Sequence, residues 1–373
     1  MMKKEKTDES RLRTVLDEII KKAIKKSVFS GCSIAVSVRK SNGFSREELH
    51  YGYTELTRSY GRVNRYTYFD LASLTKPLVT ALSIAALVDE NVLCLNDSLA
   101  SCSNWKNIPA DKSSITIRDL LCHSSGLPPH REFFKKLVHI TPEQRKETVK
   151  NWIINEKLQY LPGSRNEYSD LGYILLGILI EEKTAVSLDD FWRKNVIGRQ
   201  KIKNRFLFSG DEHLSPFTCA FTHFSSDEAF KCGTVHDENC RALGGVCGHA
   251  GLFGTASSVL QLCETVMDQY KNRGKSSLPD AAVLKQFLKK EKNSSWSCGF
   301  DIPAESNSSC GKLFSRESRG HLGFTGTSFW MDLEREIIVV LLTNRVHCSN
   351  DNGEIKKYRP LVHDCIVQEL NRK

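Results

Sequence analysis

The chain has 373 residues, of which 40% are hydrophobic and 26% charged, with a formal net charge of +9. This length holds one large domain or two interleaved ones around a sizeable core, and the composition excludes a disordered or low-complexity chain. The basic excess falls in short Lys pairs along amphipathic segments without interleaved aromatics, so a solvated surface is expected and a nucleic-acid module is not.

The opening segment, MMKKEKTDESRLRTVLDEIIKKAIKKSVFSG, has a charged start but no continuous apolar core and no small-residue cleavage site. Leu12, Val15, Leu16, Ile19, Ile20, Ala23 and Ile24 instead share one helical face. No later stretch reaches the roughly 18 uninterrupted apolar residues of a membrane span. A cytoplasmic location without a membrane partner is therefore expected, and the thirteen scattered cysteines read as reduced thiols.

Two strand-like runs, CSIAVSVRK and ELHYGYTEL, flank SNGFSRE and read as a hairpin. Next comes FDLASLTKPLVTALSIAALVDE, residues 69–90, an apolar helix that opens on Ser73 and Lys76. Pro77 lacks the N–H that would bond back to the Ser73 carbonyl, so the helix is expected to begin near Ser73. Spacing of three puts Ser73 and Lys76 on one face, their β-carbons roughly 5–6 Å apart. A serine hydroxyl is a weak nucleophile until a neighbour takes its proton, and a lysine beside it meets that need. A serine cap with a solvated lysine fits this element alone equally well.

Helical patterns follow at 117–122, 142–157, 171–183 and 188–195, broken by GLPP and LPGS. PGSRNEYSDLGYILLGILI sets Tyr168 and Asp170 just before an apolar helix, where the plainer reading is a buried ring and an aspartate N-cap. From 296 onward strands return in SSWSCGFDI, GTSFWMDL and EIIVVLLTN, and a last amphipathic helix spans about 355–371. RGHLGFTGTSFWMDL places His321 and Gly323 at the start of a strand, with Gly326 soon after, where glycine admits a close approach. Strands at both ends with helices between predict an α/β (α+β) fold. Residues 1–80 and 235–373 would form an antiparallel sheet flanked by helices, and 81–234 a mainly helical insert.

Cys232, His236, Cys240, Cys247 and His249 lie close enough in sequence to be drawn as a zinc site. Their spacing matches no familiar framework, so a loop with small apolar cysteines is expected instead of a metal.

Taken together and in this order, SLTK, YSD and HLG resemble the motifs of the serine β-lactamase and penicillin-binding-protein superfamily, most of all its class C-like branch of esterases and D-amino-acid peptidases. LLCHSSGLP and VHDENCRALGGVCGHAGLFGTASS add to the likeness, which runs from about residue 28 to 371. The resemblance implies the β-lactamase/transpeptidase-like fold and an acyl-enzyme mechanism. Ser73 would be the nucleophile, with Lys76 and Tyr168 sharing proton transfer and the amides of Ser73 and Phe324 forming the oxyanion hole. Asp170, His321 and Gly323 would orient substrate, and His236, Asp237 and His249 would lie on a loop lining the pocket. No cofactor or metal is implied.

YSD stands where the branch has Tyr-x-Asn; an acid at Asp170 is able to keep Lys76 charged and leave Tyr168 as the base, and which of the two accepts the proton is left open by the sequence. HLG stands where it has Lys-Thr-Gly, which removes a cation and a hydroxyl and favours a small neutral ester or amide over a β-lactam or peptide carboxylate. A carboxylate, if bound, would need Arg316, Arg319 or Arg345. The alternatives are a DD-peptidase or β-lactamase acting on peptidoglycan-type or β-lactam substrates, and a binding paralogue without turnover.

Overall fold

A computed structural model describes residues 2–198, 206–222, 232–273, 278–291, 294–349 and 353–372, with side chains from residue 11 onward. In chain order its strands are β1 (Gly31–Lys40), β2 (Gly43–Gly52), β3 (Phe69–Asp70), β4 (Leu207–Phe208) and β5 (Leu252–Gly254), then β6 (Trp296–Ser297), β7 (Phe300–Asp301), β8 (Ser318–Leu322), β9 (Ser328–Asp332) and β10 (Ile337–Thr343). Seven of them form one antiparallel sheet in the order β2-β1-β10-β9-β8-β7-β6, and β3-β5-β4 form a second, small one. The ladder from Cys32↔Thr343 to Val38↔Ile337 zips the two ends of the chain together. The sheet is thus built from both termini, as expected.

Alternation along these strands sorts the core. Ile34, Val36, Val339 and Leu341 pack with Leu16 and Ile20 of the helix Met2–Lys25 and with Val362 and Ile366 of the helix Ile355–Asn371. Ala35, Ile338, Val340 and Leu342 belong to a second cluster that includes Leu260 of the helix Ala256–Tyr270 and runs on through Leu78 and Trp192. The central helical section therefore shares its core with the sheet.

Three details differ from expectation. The β1–β2 hairpin closes with Lys40↔Gly43, leaving only Ser41 and Asn42 in the turn. The second strand thus starts five residues before ELHYGYTEL, because a two-residue connection matches the twist of antiparallel strands. The helix after β3 does open beside Ser73, but as a 3-10 turn over Ala72–Leu74 that widens to π geometry over Lys76–Ala81 before the α-helix Leu82–Asp89. Wider turns fit a segment whose Pro77 cannot make the bond to Ser73. Finally, His321 ends β8 rather than starting a strand: Leu322 pairs with Ser328, and Gly323–Thr327 is the turn into β9, closed by Gly323 N–H donating to Thr327 O at 2.8 Å. Gly326 sits there at φ +93°, a backbone conformation that favours glycine.

A close backbone approach seats the turn before β5. A Cβ on Gly248 would fall 2.0 Å from the Tyr173 carbonyl oxygen and 3.0 Å from Gly177 N. The Thr80 hydroxyl donates to the Gly248 carbonyl at 2.6 Å, so this turn is pinned between the Lys76–Asp89 segment and the helix Asp170–Thr184. Gly248→Ala must push these backbones apart and is expected to lower stability by about 1–3 kcal/mol in urea unfolding. Wild-type stability in this variant would show that the approach is not tight.

Candidate active site

Asp70 shapes the approach to Ser73. Its Oδ1 accepts from Ala72 N–H at 2.8 Å and its Oδ2 from His236 N–H at 2.7 Å, holding Ala72 at φ +48°. A non-glycine residue there is strained, of order 1–3 kcal/mol, and is kept so only by its surroundings. The Thr325 hydroxyl donates to the Asp70 carbonyl at 2.8 Å and that of Thr327 to the Leu71 carbonyl at 3.1 Å, tying the β8–β9 turn to the strand that leads into Ser73.

Lys76 is completely buried, and each of its three ammonium hydrogens has an acceptor. Nζ lies 2.9 Å from Ser73 Oγ, 2.7 Å from Asp170 Oδ1 and 3.2 Å from the His249 carbonyl oxygen. It also stands 4.8 Å above the Tyr168 ring. Burial pushes the Tyr168 phenol well above the usual range, the Asp170 charge adds to this, and the Ser73 hydroxyl beside it opposes it. Three segments of the chain thus converge on one ammonium.

Asp170 is the first residue of its helix, with Ser169 at the cap position, so the N-cap reading does not hold. Its carboxylate turns to Lys76, and to His130, whose Nδ1 lies 3.5 Å from Oδ2. Burial disfavours that charge, but Lys76, His130 and His249 hold the carboxyl well below its ordinary range.

His321 is buried, with Nδ1 2.8 Å from the Leu322 carbonyl oxygen. A carbonyl only accepts, so Nδ1 carries the hydrogen and Nε2, which has no partner among the described residues, is left as an acceptor. Burial, and then the Lys76 charge, lower its pKa to about 3. The third motif therefore presents a neutral ring. Phe324 is 55% exposed, stacked on His236 at 5.3 Å between centroids and with the Arg345 guanidinium 4.5 Å from its ring.

A cavity of about 840 Å³ opens over Ser73, and Tyr168, Asp170, His236, Asp237, His321, Gly323 and Phe324 line it as well. Lys76 and His249 lie behind its wall. The expectation that His249 lines the pocket is therefore corrected: its Nε2 sits 2.8 Å from Asp237 Oδ1, drawn inward by that carboxylate. Other members of the zinc-like group go elsewhere, Cys240 Sγ to the Ala250 carbonyl at 3.2 Å and Cys232 Sγ to the Ser215 carbonyl at 3.0 Å.

Some of this wall was not read from the sequence. His123 packs on Tyr168 with centroids 4.5 Å apart, and the Trp296 indole donates to Asp301 at 2.6 Å. Of the arginines considered, Arg345 lines the cavity, whereas Arg316 bonds the Ala304 and Glu305 carbonyls and Arg319 the Leu288 carbonyl. Arg359, not considered, lines it too and is only 5% exposed. Its signal was legible: Ile355, Arg359, Val362 and Ile366 share the buried face of the last helix, where a charge is unusual.

Comparison with known proteins follows the same lines. Residues 16–362 match the family model Beta-lactamase. A protein named "Putative D-alanyl-D-alanine carboxypeptidase" from Salmonella heidelberg (strain SL476) is 29% identical over 320 residues, covering 79% of this chain and 73% of that protein. Among solved structures, EstCE1, described as a hydrolase with promiscuous acyltransferase activity, superposes with a TM-score of 0.73 at 20% identity, covering 96% of this chain and 99% of its own. The D-amino acid amidase from Ochrobactrum anthropi SV3, complexed with L-phenylalanine amide, gives 0.70 at 17% identity, covering 98% of each chain. At those identities the solved structures speak for the fold alone. With the family match spanning nearly the whole chain, this protein belongs to the β-lactamase family of serine hydrolases.

Proposed function

We propose that the protein cleaves a small ester or amide through an acyl-enzyme on Ser73. The observation that carries this reading is the Ser73 hydroxyl at a cavity wall, 2.9 Å from the Lys76 ammonium nitrogen, with the Tyr168 phenol on the same wall. Once the Lys76–Tyr168 pair has given up one proton to solvent, Ser73 Oγ bonds to the substrate carbonyl carbon while its own proton passes to that pair. The bond to the leaving group then breaks, that group takes the proton, and water releases the acyl chain and restores Ser73. The N–H groups of Ser73 and Phe324, which have no acceptor among the described residues, are the donors for the oxyanion.

Asp170 bears on both relay members. Its carboxylate stabilises the Lys76 ammonium and disfavours a Tyr168 phenolate. Tyr168 as a base on its own fits this poorly; a proton shared between the two groups fits it better.

The neutral His321 supports an uncharged substrate. One observation favours a second reading, a carboxylate-bearing substrate as for a DD-peptidase or β-lactamase. Arg359 reaches only the Gly323 and Thr327 carbonyls, at 3.4 and 3.2 Å, and among the described residues its Nε has no partner and no carboxylate pairs with it. The Asp301 carboxylate acts on this guanidinium only from beyond contact, and a buried guanidinium without a direct counter-ion is costly unless an anion comes to it.

Ser73→Ala is expected to lower turnover of p-nitrophenyl butyrate by roughly a thousandfold or more and to abolish any acyl adduct in intact-mass spectra. Equal labelling of the variant by a fluorophosphonate would refute the nucleophile. Lys76→Ala and Tyr168→Phe should each cut turnover strongly, with the double variant little worse than either, since groups acting as a unit are non-additive; losses that multiply would contradict a shared relay. A wild-type protein that binds its probes without turning them over would be the binding paralogue instead.

Arg359→Met distinguishes the two substrate classes. A lost charge-assisted hydrogen bond is worth roughly 1.5–3 kcal/mol. If carboxylates are substrates, acylation by a cephalosporin or a D-alanyl-D-alanine peptide falls by about ten- to a hundredfold relative to the aryl ester. Equal effects on both probes would remove the second reading.

A further inference from the structure

Behind the cavity wall the charges alternate. Lys76 meets Asp170, and His249, whose carbonyl accepts from Lys76 at 3.2 Å, meets Asp237 through its ring at 2.8 Å. His249 is 1% exposed and its Nδ1 has no partner among the described residues. Its position is set by the pinned turn at Gly248, and Asp237 is itself fixed as the N-cap of the helix Glu238–Ala242, accepting from Cys240 N–H at 2.7 Å. The titratable groups around the ring are Asp237, Asp170 and Cys247, with Lys76 and His130 beyond Asp170.

We propose that His249, clamped by Asp237, is a positioning residue for the Lys76–Tyr168 relay: its carbonyl aims the Lys76 ammonium at Ser73, and its imidazolium offsets the Asp170 charge that would otherwise retain the relay's proton. This rests on the acyl-enzyme reading above. Burial lowers its pKa, but the Asp237 carboxylate bonded to Nε2, with the more distant Asp170 and Cys247, outweighs this and raises it to about 8, so the charge is present at neutral pH and is lost as pH rises through that value. A positive charge at this place eases proton loss from any base at Ser73, whether Lys76 or Tyr168.

The test is kcat/KM for p-nitrophenyl butyrate from about pH 5 to about 9.5 in wild type, His249→Gln and Asp237→Asn, with urea stability measured alongside. Without the imidazolium, the rising limb of the profile should move to higher pH by about half a unit to one unit. Asp237→Asn should move it less than His249→Gln, since it removes with the ring's charge a carboxylate that itself raises the Tyr168 phenol; it carries the test if His249→Gln does not fold, an upward move of more than about one unit overturning the proposal. A uniform loss of activity with the limb unmoved would overturn the proposal. So would failure of both variants to fold, which would make the pair an element of the fold only. Fluorophosphonate labelling of wild-type Ser73 keeps the two readings apart: with an adduct present, the acyl-enzyme reading stands whatever His249 does, and with none, that reading fails and takes this one with it.

Discussion

A completely buried ammonium is the constraint on which the rest of this structure depends. Moving a lysine head group out of water costs several kcal/mol, roughly, unless a carboxylate and further acceptors meet it. Lys76 obtains these from three separate places: Ser73 one turn earlier, Asp170 at the start of a helix ninety-four residues on, and the His249 carbonyl in a turn further still. Each of those places must be fixed before Lys76 can be buried. The Gly177–Gly248 approach, the Thr80 bond to Gly248 and the ties from Thr325 and Thr327 to the strand before Ser73 are the means by which the fold does so.

The same requirement accounts for the sharing of one core between the sheet and the helical section. Were the two to pack loosely, the three acceptors would drift relative to Lys76, and an unpaired buried charge would follow. The apolar cluster running from Val340 and Leu342 of the sheet through Leu78 to Trp192 prevents that drift, and the Trp192 indole adds a bond of 2.7 Å to the Leu78 carbonyl within the widened helical turn.

Charge is also placed with care on the other side of the cavity. His321 is kept neutral by burial beside Lys76, while the lysine and arginines facing the open volume, Arg345, Lys356 and Arg359, come from the segment after β10 and from the last helix. The third-motif position itself therefore presents no charge to the cavity, the one arginine of β8, Arg319, turning to the Leu288 carbonyl instead. This leaves the wall next to Ser73 uncharged at His321 and cationic only farther along, which is why the two substrate classes make different demands on the same cavity.

Much of this was legible in the sequence, because it rests on local rules. Strand-like runs marked β1, β9 and β10, the 3.6-residue period marked the terminal helices, and Pro77 marked the opening of the Ser73 helix. The Ser-x-x-Lys spacing set two of the site groups one turn apart without help from the rest of the chain. Other features had no local signature. The Asp170 carboxylate reads as a helix cap until Lys76 is placed opposite it, and His249 reads as pocket lining until Asp237 draws its ring inward. The place of HLG at the end of β8 depended on pairing with β9, since the glycines that suggest a strand's approach also suit the turn that follows it. The sequence by itself determined which segments are helix or strand and which residue types carry chemistry, because periodicity and backbone sterics act over a few neighbours. Only the tertiary structure decided which charges face each other, because Coulomb interactions and desolvation depend on distance and burial, and both are set by contacts between segments far apart in the chain.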